Sequence, residues 1–282
     1  MGLVRSFTST RKHKQKKYVE TVCKMVFRNA VICGALLIAV GCIQISSGND
    51  KGWDYMVFSQ QWPQSVCIDN QKEHNCSIPL NVTSWTVHGV WPTHTGTLGP
   101  NYCNNSWHFD EEKLKPLEPM LKQYWPNLFT DTPMTDFWKH EWTKHGTCAA
   151  SFPPLHTEYA YFNMGLKLNR KLDVYNSLVE VGIEPGLKNY TLDAINKAFA
   201  AEFGFTMKVL CFLDKEKEVQ YIEQVEMCIN KQFAQIDCTH DNALATQQNH
   251  LATNDVRDFA KVSQMNSCIS KYPIQYPAIK HK

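Results

Sequence analysis

Two short stretches of this 282-residue chain concentrate residues that can move protons: SWTVHGVWP, from Ser84 to Pro92, and FWKHEWTKHGTC, from Phe137 to Cys148. The first carries His88; the second carries His140, Glu141, Lys144 and His145. Imidazoles titrate near neutrality, so a pair of them can supply one base and one acid to the same reaction. A carboxyl and an ammonium group beside them could meet charge that develops at a phosphate. A lone histidine reads as a satisfied structural residue, and Trp85, Trp91, Trp138 and Trp142 taken singly read as core. Three histidines with Glu141 and Lys144 are poor core material, because buried charges need partners.

The spacing of the second stretch narrows the chemistry. On an α-helix, residues four apart share a face. That pairs Glu141 with His145 and His140 with Lys144, so carboxylate, imidazole and cation could line one pocket wall. Glu141 would then raise the affinity of His145 for its proton. The stretch is not an HExxH zinc signature. Its histidines are five apart, which places them roughly 140° from each other around a helix.

Regular elements must hold these groups. Tyr55–Trp62 and Ser84–Trp91 read as strands. Alternation in the second puts Trp85, Val87, Gly89 and Trp91 on one face and His88 on the other. Asp110–Trp125 is a helix candidate interrupted at Pro116 and Pro119. Thr135–Thr147, Glu158–Leu172 and Thr191–Phe203 read as helices, the last stopping at Gly204. Met207–Leu213 and Glu218–Ile229 read as an antiparallel pair. The Pro-rich end YPIQYPAIKHK suggests a short last strand and a loose basic tail. Strands and helices mix without βαβ regularity, which gives an α+β class: a central antiparallel sheet flanked by helices, in a single disulfide-rich domain over residues 49–282.

Residues 1–48 carry eight basic side chains and one acid, leaving 21 bases and 26 acids for the rest. The globular part is therefore mildly acidic and lacks the broad basic footprint of a protein that grips nucleic acid by its phosphates. Within the leader, Ala30–Ile43 is an apolar run of 14 residues, short against the roughly 20 of a membrane span and suited to a secretory signal. Cleavage after Ser46–Gly48, initiation at Met25 and retention as an uncleaved anchor are all compatible with it. Outside the leader stand eight cysteines: Cys67, Cys76, Cys103, Cys148, Cys211, Cys228, Cys238 and Cys268. In a secretory context an even number reads as disulfides, with 105 possible connectivities. Sequons at Asn75, Asn81, Asn104 and Asn189 fit an exported glycoprotein.

The segments HGVWP and FWKHEWTKHGTC, with FSQQWP (Phe58–Pro63), GPNYCNNSW (Gly99–Trp107) and the cysteine layout, resemble the ribonuclease T2 family of acid, transferase-type ribonucleases. The resemblance covers about Trp53 to Tyr276. It implies an endoribonuclease in which the ribose 2′-hydroxyl of single-stranded RNA attacks the adjacent phosphorus, leaving a 2′,3′-cyclic phosphate. It implies His145 as base and His88 as acid, with Glu141 and Lys144 stabilising the phosphorane and His140 binding phosphate. Trp91 and Phe137 match base-stacking positions. Thr93 stands where many relatives have an aspartate that reads the base, which suggests a weakened adenine preference. The resemblance also selects the pairs Cys67–Cys76, Cys103–Cys148, Cys211–Cys268 and Cys228–Cys238. No metal, no cofactor, no DNA substrate and no stable membrane association are expected unless the leader is retained, and the protein is expected to be a monomer, secreted or held in a lysosome-like compartment. The competing reading is a non-catalytic secreted binding module on the same scaffold; it would be expected to lack His88 or His145.

Overall fold

A computed structural model describes residues 52–96, 99–186, 188–205, 207–238 and 266–281, so the basic leader lies outside the described residues. The site is built on a sheet whose strands run in the order β2-β1-β5-β4-β7. Strand β1 (Tyr55–Gln61) is the hub, pairing antiparallel with β2 (Thr86–Thr93) on one side and β5 (Val219–Ile229) on the other. All its residues are buried, so both faces of the sheet are covered there. Beyond β5 lie β4 (Lys208–Asp214) and then β7 (Asn266–Ser267), both antiparallel. Short β3 (Asn189–Tyr190) and β6 (Gln235–Ile236) complete the antiparallel pairings, joining β8 (Ile274–Gln275) and β5 respectively.

Two strands carry one residue more than their neighbour. Ser59 faces Gly89 and Gln60 faces Val87, so His88 is the extra residue of a β-bulge in β2. Leu210 faces Gln224 and Cys211 faces Ile222, so Glu223 is the extra residue in β5. A bulge inserts an unpaired residue and re-aims the side chains around it. This overturns the strict alternation expected for Ser84–Trp91. Trp85 is buried in the main core, whereas Trp91, beyond the bulge, packs on the other side against Tyr55 and Val57. His88 and Trp91 end up in contact, their ring centroids 5.0 Å apart, rather than on opposite faces.

The helices follow their sequence signals closely. The interrupted stretch divides into a 3-10 turn (Glu111–Leu117) and helix α2 (Glu118–Tyr124), after α1 (Pro63–Asp69) earlier in the chain. Pro119 sits in the first turn of α2, where a missing N–H leaves no helical bond unmade. Helix α5 (Glu158–Lys171) is capped by Thr157, whose hydroxyl accepts from the Ala160 N–H at 3.1 Å. Helix α6 (Val174–Val179) follows, and α7 (Leu192–Phe203) runs from a Thr191 cap to Gly204, at φ 71°. No helix among the described residues is long and apolar enough to cross a membrane.

The C-terminal segment bears out one expectation and corrects another. Strand β8 (Ile274–Gln275) exists but runs parallel to β5, the exception in an otherwise antiparallel sheet. The tail after it is anchored rather than loose. Trp62 Nε1 donates to the Pro277 carbonyl at 2.8 Å, and the Lys280 N–H donates to Gln64 Oε1 at 2.7 Å. Tyr276 is fully buried, with its hydroxyl accepting from Trp85 Nε1 at 2.7 Å. Four disulfides join Cys67–Cys76, Cys103–Cys148, Cys211–Cys268 and Cys228–Cys238, the pairs implied by the resemblance.

Candidate active site

On the strand side, His88 is half-buried and its backbone is clamped by aromatic residues. The His88 carbonyl accepts from Trp125 Nε1 at 3.0 Å, and the Trp125 carbonyl accepts from Trp138 Nε1 at 2.7 Å. Two residues on, the Val90 carbonyl accepts from the Tyr161 hydroxyl at 3.0 Å. These rings are core, and their single polar atoms fix the bulge at the same time. Gly89 makes room for the site. A Cβ there would collide with the Trp91 indole nitrogen and Glu141 Oε2.

On the helix side, the expected continuous helix Thr135–Thr147 is divided. Helix α3 (Met134–Glu141) passes into a π-helical turn over Trp142–Gly146 and then into the short α4 (Thr147–Ala149). Such a turn admits one extra residue and is frequent at functional sites. Threonines support it: Thr143 Oγ1 donates to the Lys139 carbonyl at 2.8 Å, and Thr147 Oγ1 to the Thr143 carbonyl at 2.9 Å. Gly146 leaves space for the Trp142 ring, into which a Cβ would project.

The two sides meet around Trp91. Its ring centroid lies 5.0 Å from His88 and 5.5 Å from His145, so both imidazoles pack against the same indole. Its Nε1 donates to Glu141 Oε2 at 3.0 Å, which ties the buried carboxyl to the strand. Phe137 also packs near His88, at 5.8 Å between ring centroids. Lys144 and His140 are half-buried on the helix side, and Lys144 acts electrostatically on Glu141, His88 and His145 alike.

Burial sets the protonation of these groups. It raises the Glu141 carboxyl to about 8, against the Trp91 hydrogen bond and the Lys144 charge. It lowers His88 to about 4, with the hydrogen bond to Gln224 opposing and Lys144 reinforcing. His145 falls well below the usual histidine range, through burial first and then the nearby cationic Lys144, His140 and His88. The expected pairing of Glu141 with a proton-rich His145 is therefore reversed. Burial favours the neutral form of Glu141, which is bonded to Trp91, and burial and the nearby charges disfavour the protonated form of His145. Its Nδ1 is buried with no hydrogen-bond partner among the described residues.

Thr93 lies at the end of β2, two residues past Trp91. It is 3% exposed and its hydroxyl donates to the Trp91 carbonyl at 3.0 Å. Asn75, Asn81 and Asn189 are exposed, and Asn104 is half-buried with its Oδ1 accepting from Ser106. Gln224 is a site residue that motif reading overlooked. Its Oε1 lies 2.5 Å from His88 Nδ1. Its only mark in the sequence is an amide in the mostly apolar strand VQYIEQVEMCI.

Residues 53–238 match the model of the ribonuclease T2 family. The chain belongs to the ribonuclease T2 family. It is 43% identical over 191 residues to Ribonuclease Oy of Magallana gigas, covering 67% of this chain and 88% of that protein. It is 36% identical over 225 residues to Ribonuclease T2 of Homo sapiens, covering 75% and 83%. The crystal structure of human RNase T2 superposes with a TM-score of 0.65, at 32% identity over 81% of this chain and all of that one. RNase NT, solved in complex with 5′-AMP, gives a TM-score of 0.63 at 27% identity, over 80% of this chain and 99% of that one. As a ribonuclease T2 family member the protein is an RNA-cleaving enzyme, and RNA is its substrate.

Proposed function

We propose that this endoribonuclease cleaves single-stranded RNA by transphosphorylation, with side chains making every proton transfer. His145 removes the proton of the ribose 2′-hydroxyl, the 2′-oxygen attacks the adjacent phosphorus, and the 5′-oxygen leaves with a proton from His88. A 2′,3′-cyclic phosphate remains on one product and a 5′-hydroxyl on the other. The observation that carries this reading is that His88 and His145, from a strand and a helix, both lie against the Trp91 ring, at 5.0 and 5.5 Å, with Lys144 acting on both.

The electrostatics support the division of labour. A base must be neutral, and His145 is the imidazole held well below its ordinary range. An acid must be protonated, and a phosphodiester anion beside His88 raises it from about 4 when substrate binds. Glu141, neutral at acid pH, can donate its proton to a phosphoryl oxygen where a carboxylate would repel it. Lys144 supplies the cation, and His140 binds phosphate. Phe137 offers a stacking face to a base, which is sequence-tolerant, and the 2′-hydroxyl requirement excludes DNA. The eight bonded cysteines and four sequons support export as a monomeric glycoprotein, secreted or retained in a lysosome-like compartment.

Digestion of single-stranded RNA at about pH 5 with a chelator present tests the reading. His88→Ala and His145→Ala are each expected to lose about 10²–10⁴-fold in rate, and wild-type product ends are expected to be 2′,3′-cyclic phosphates. Robust cleavage by either variant, or linear 5′-phosphate ends, overturns it. The rate is expected to be bell-shaped with its maximum on the acid side of neutrality, and a flat profile from about pH 4 to about pH 8 contradicts it.

A further inference from the structure

We propose that Gln224, oriented by Glu226 and Lys208, is the positioning residue that fixes which nitrogen of His88 exchanges the catalytic proton. The proposal rests on the reading of His88 as the acid. It stands on a row of polar side chains that crosses the sheet from β4 through β5 to β2.

The row starts at Lys208, whose Nζ lies 3.3 Å from Glu226 Oε2. Glu226 Oε1 accepts from Gln224 Nε2 at 2.8 Å. A carboxylate oxygen in an ion pair accepts and does not donate, so it dictates which end of the Gln224 amide faces it. The amide nitrogen must point to Glu226, which turns the amide oxygen toward His88. That oxygen lies 2.5 Å from His88 Nδ1, and an amide oxygen also only accepts. His88 therefore carries a proton on Nδ1, and Nε2 is left as the nitrogen that takes up and releases the second proton. Gln224 is 2% exposed, so water does not compete for the amide.

The backbone makes the alignment possible. On flat strands, His88 of β2 and Gln224 of β5 would be separated by the whole of β1. The bulge takes His88 out of register with β1, while Gln224 stays in register opposite Gln61, and the two side chains meet across that strand. The His88 bulge lies beside Ser59 and Gln60, and the Glu223 bulge, which is relative to β4, begins just past the Gln61–Gln224 pair. A neutral amide also has a consequence that a carboxylate would not. It orients the imidazole without a formal charge to hold the proton there, so His88 still releases it. The other charged or titratable groups around His88 are Lys144 and His145 from the π turn and Glu141 from α3, which abuts Gly89. Trp91 and Phe137 complete the crevice with uncharged rings.

The direct test is ¹⁵N NMR of the histidine rings in the wild-type enzyme above the His88 titration. A proton on Nδ1 of neutral His88 is expected; a proton on Nε2 overturns the proposal without any variant. The kinetic test exchanges the two side chains, Gln224→Glu with Glu226→Gln, which puts the carboxylate against the imidazole. The limb of the kcat/KM profile that reports His88 is expected to move to higher pH by at least about one unit. Gln224→Leu is expected to lose roughly 10- to 100-fold in kcat/KM and to redistribute the His88 tautomers while the circular dichroism spectrum is kept. If the exchanged variant is folded and its profile is unmoved, Gln224 is merely structural and the proposal fails. If His88→Ala retains activity, the assignment of the acid fails instead, and the tautomer measurement still judges Gln224 separately.

Discussion

The two histidines at the centre of the site are mounted on different elements by the same device. His88 is the extra residue of a bulge in a strand, and His145 stands in a π turn that admits an extra residue into a helix. Each is followed by a glycine that yields space to an indole, Trp91 in one case and Trp142 in the other. The difference lies behind the rings. His88 has a hydrogen-bond partner on Nδ1, and His145 has none among the described residues. The strand histidine has its proton arrangement set before substrate arrives. The helix histidine is governed by burial and by the charges near it, which favour its neutral form.

The sharpest way to break this comparison is to remove the space on each side. Gly89→Ala drives a methyl into both Trp91 and Glu141 and is expected to reduce kcat by about 10²-fold or more, as misplacement of reacting groups does. Gly146→Ala meets the buried Trp142 ring and is expected to lower both activity and thermal stability. If Gly89→Ala retains wild-type kcat, the bulge does not hold the site. If Gly146→Ala is as stable as wild type, the π turn is not under the constraint described.

A smaller effect is expected from the Cys103–Cys148 bridge. It holds the segment of Tyr102, whose N–H donates to the Lys144 carbonyl at 2.8 Å, against the end of the π turn. The double replacement Cys103→Ala with Cys148→Ala is expected to cost about 2–5 kcal/mol in denaturant unfolding and to raise KM through Lys144. Unchanged stability and kinetics would show that the bridge is dispensable to the helix side.

The smallest effect separates the sides by pH. Glu141, held at about 8 against an ordinary 4.5, contributes stability that is full below about 4.5 and is lost as pH rises through 8. His88, held at about 4 against 6.5, contributes stability that is full above 6.5 and is lost as pH falls through 4. Glu141→Gln keeps a neutral side chain at all pH. Its melting temperature relative to wild type is expected to climb by several degrees between about pH 5 and about pH 8. A constant difference across that range would mean that Glu141 is ionised in the folded protein.

The elements were largely legible because their signals are local. Thr157 and Thr191 cap helices, Gly204 ends one, and Pro119 starts one, as their backbone chemistry dictates. The residues of the site were legible because imidazole, carboxyl and ammonium in two short segments have few other uses. What stayed hidden were the two insertions. Period two and period 3.6 both assume regular elements, so they put His88 opposite Trp91 and joined Glu141 to His145. The bulge reverses the first statement, and burial reverses the protonation inferred from the second. Gln224 was hidden for another reason: its partner lies 136 residues earlier in the chain. The anchored tail was missed because its bonds run to Trp62 and Gln64, near the start of the fold.

That tail also sets an order of events. Trp62 and Trp85 flank the strands that begin the domain, yet the ring that packs on both is Tyr276, with centroids 4.6 and 6.0 Å away. A ribosome releases His88 and His145 into the growing chain long before it reaches that tyrosine. The aromatic layer beneath β2 can close only once Tyr276 has been made, so both histidines are synthesised well before the ring that completes their support.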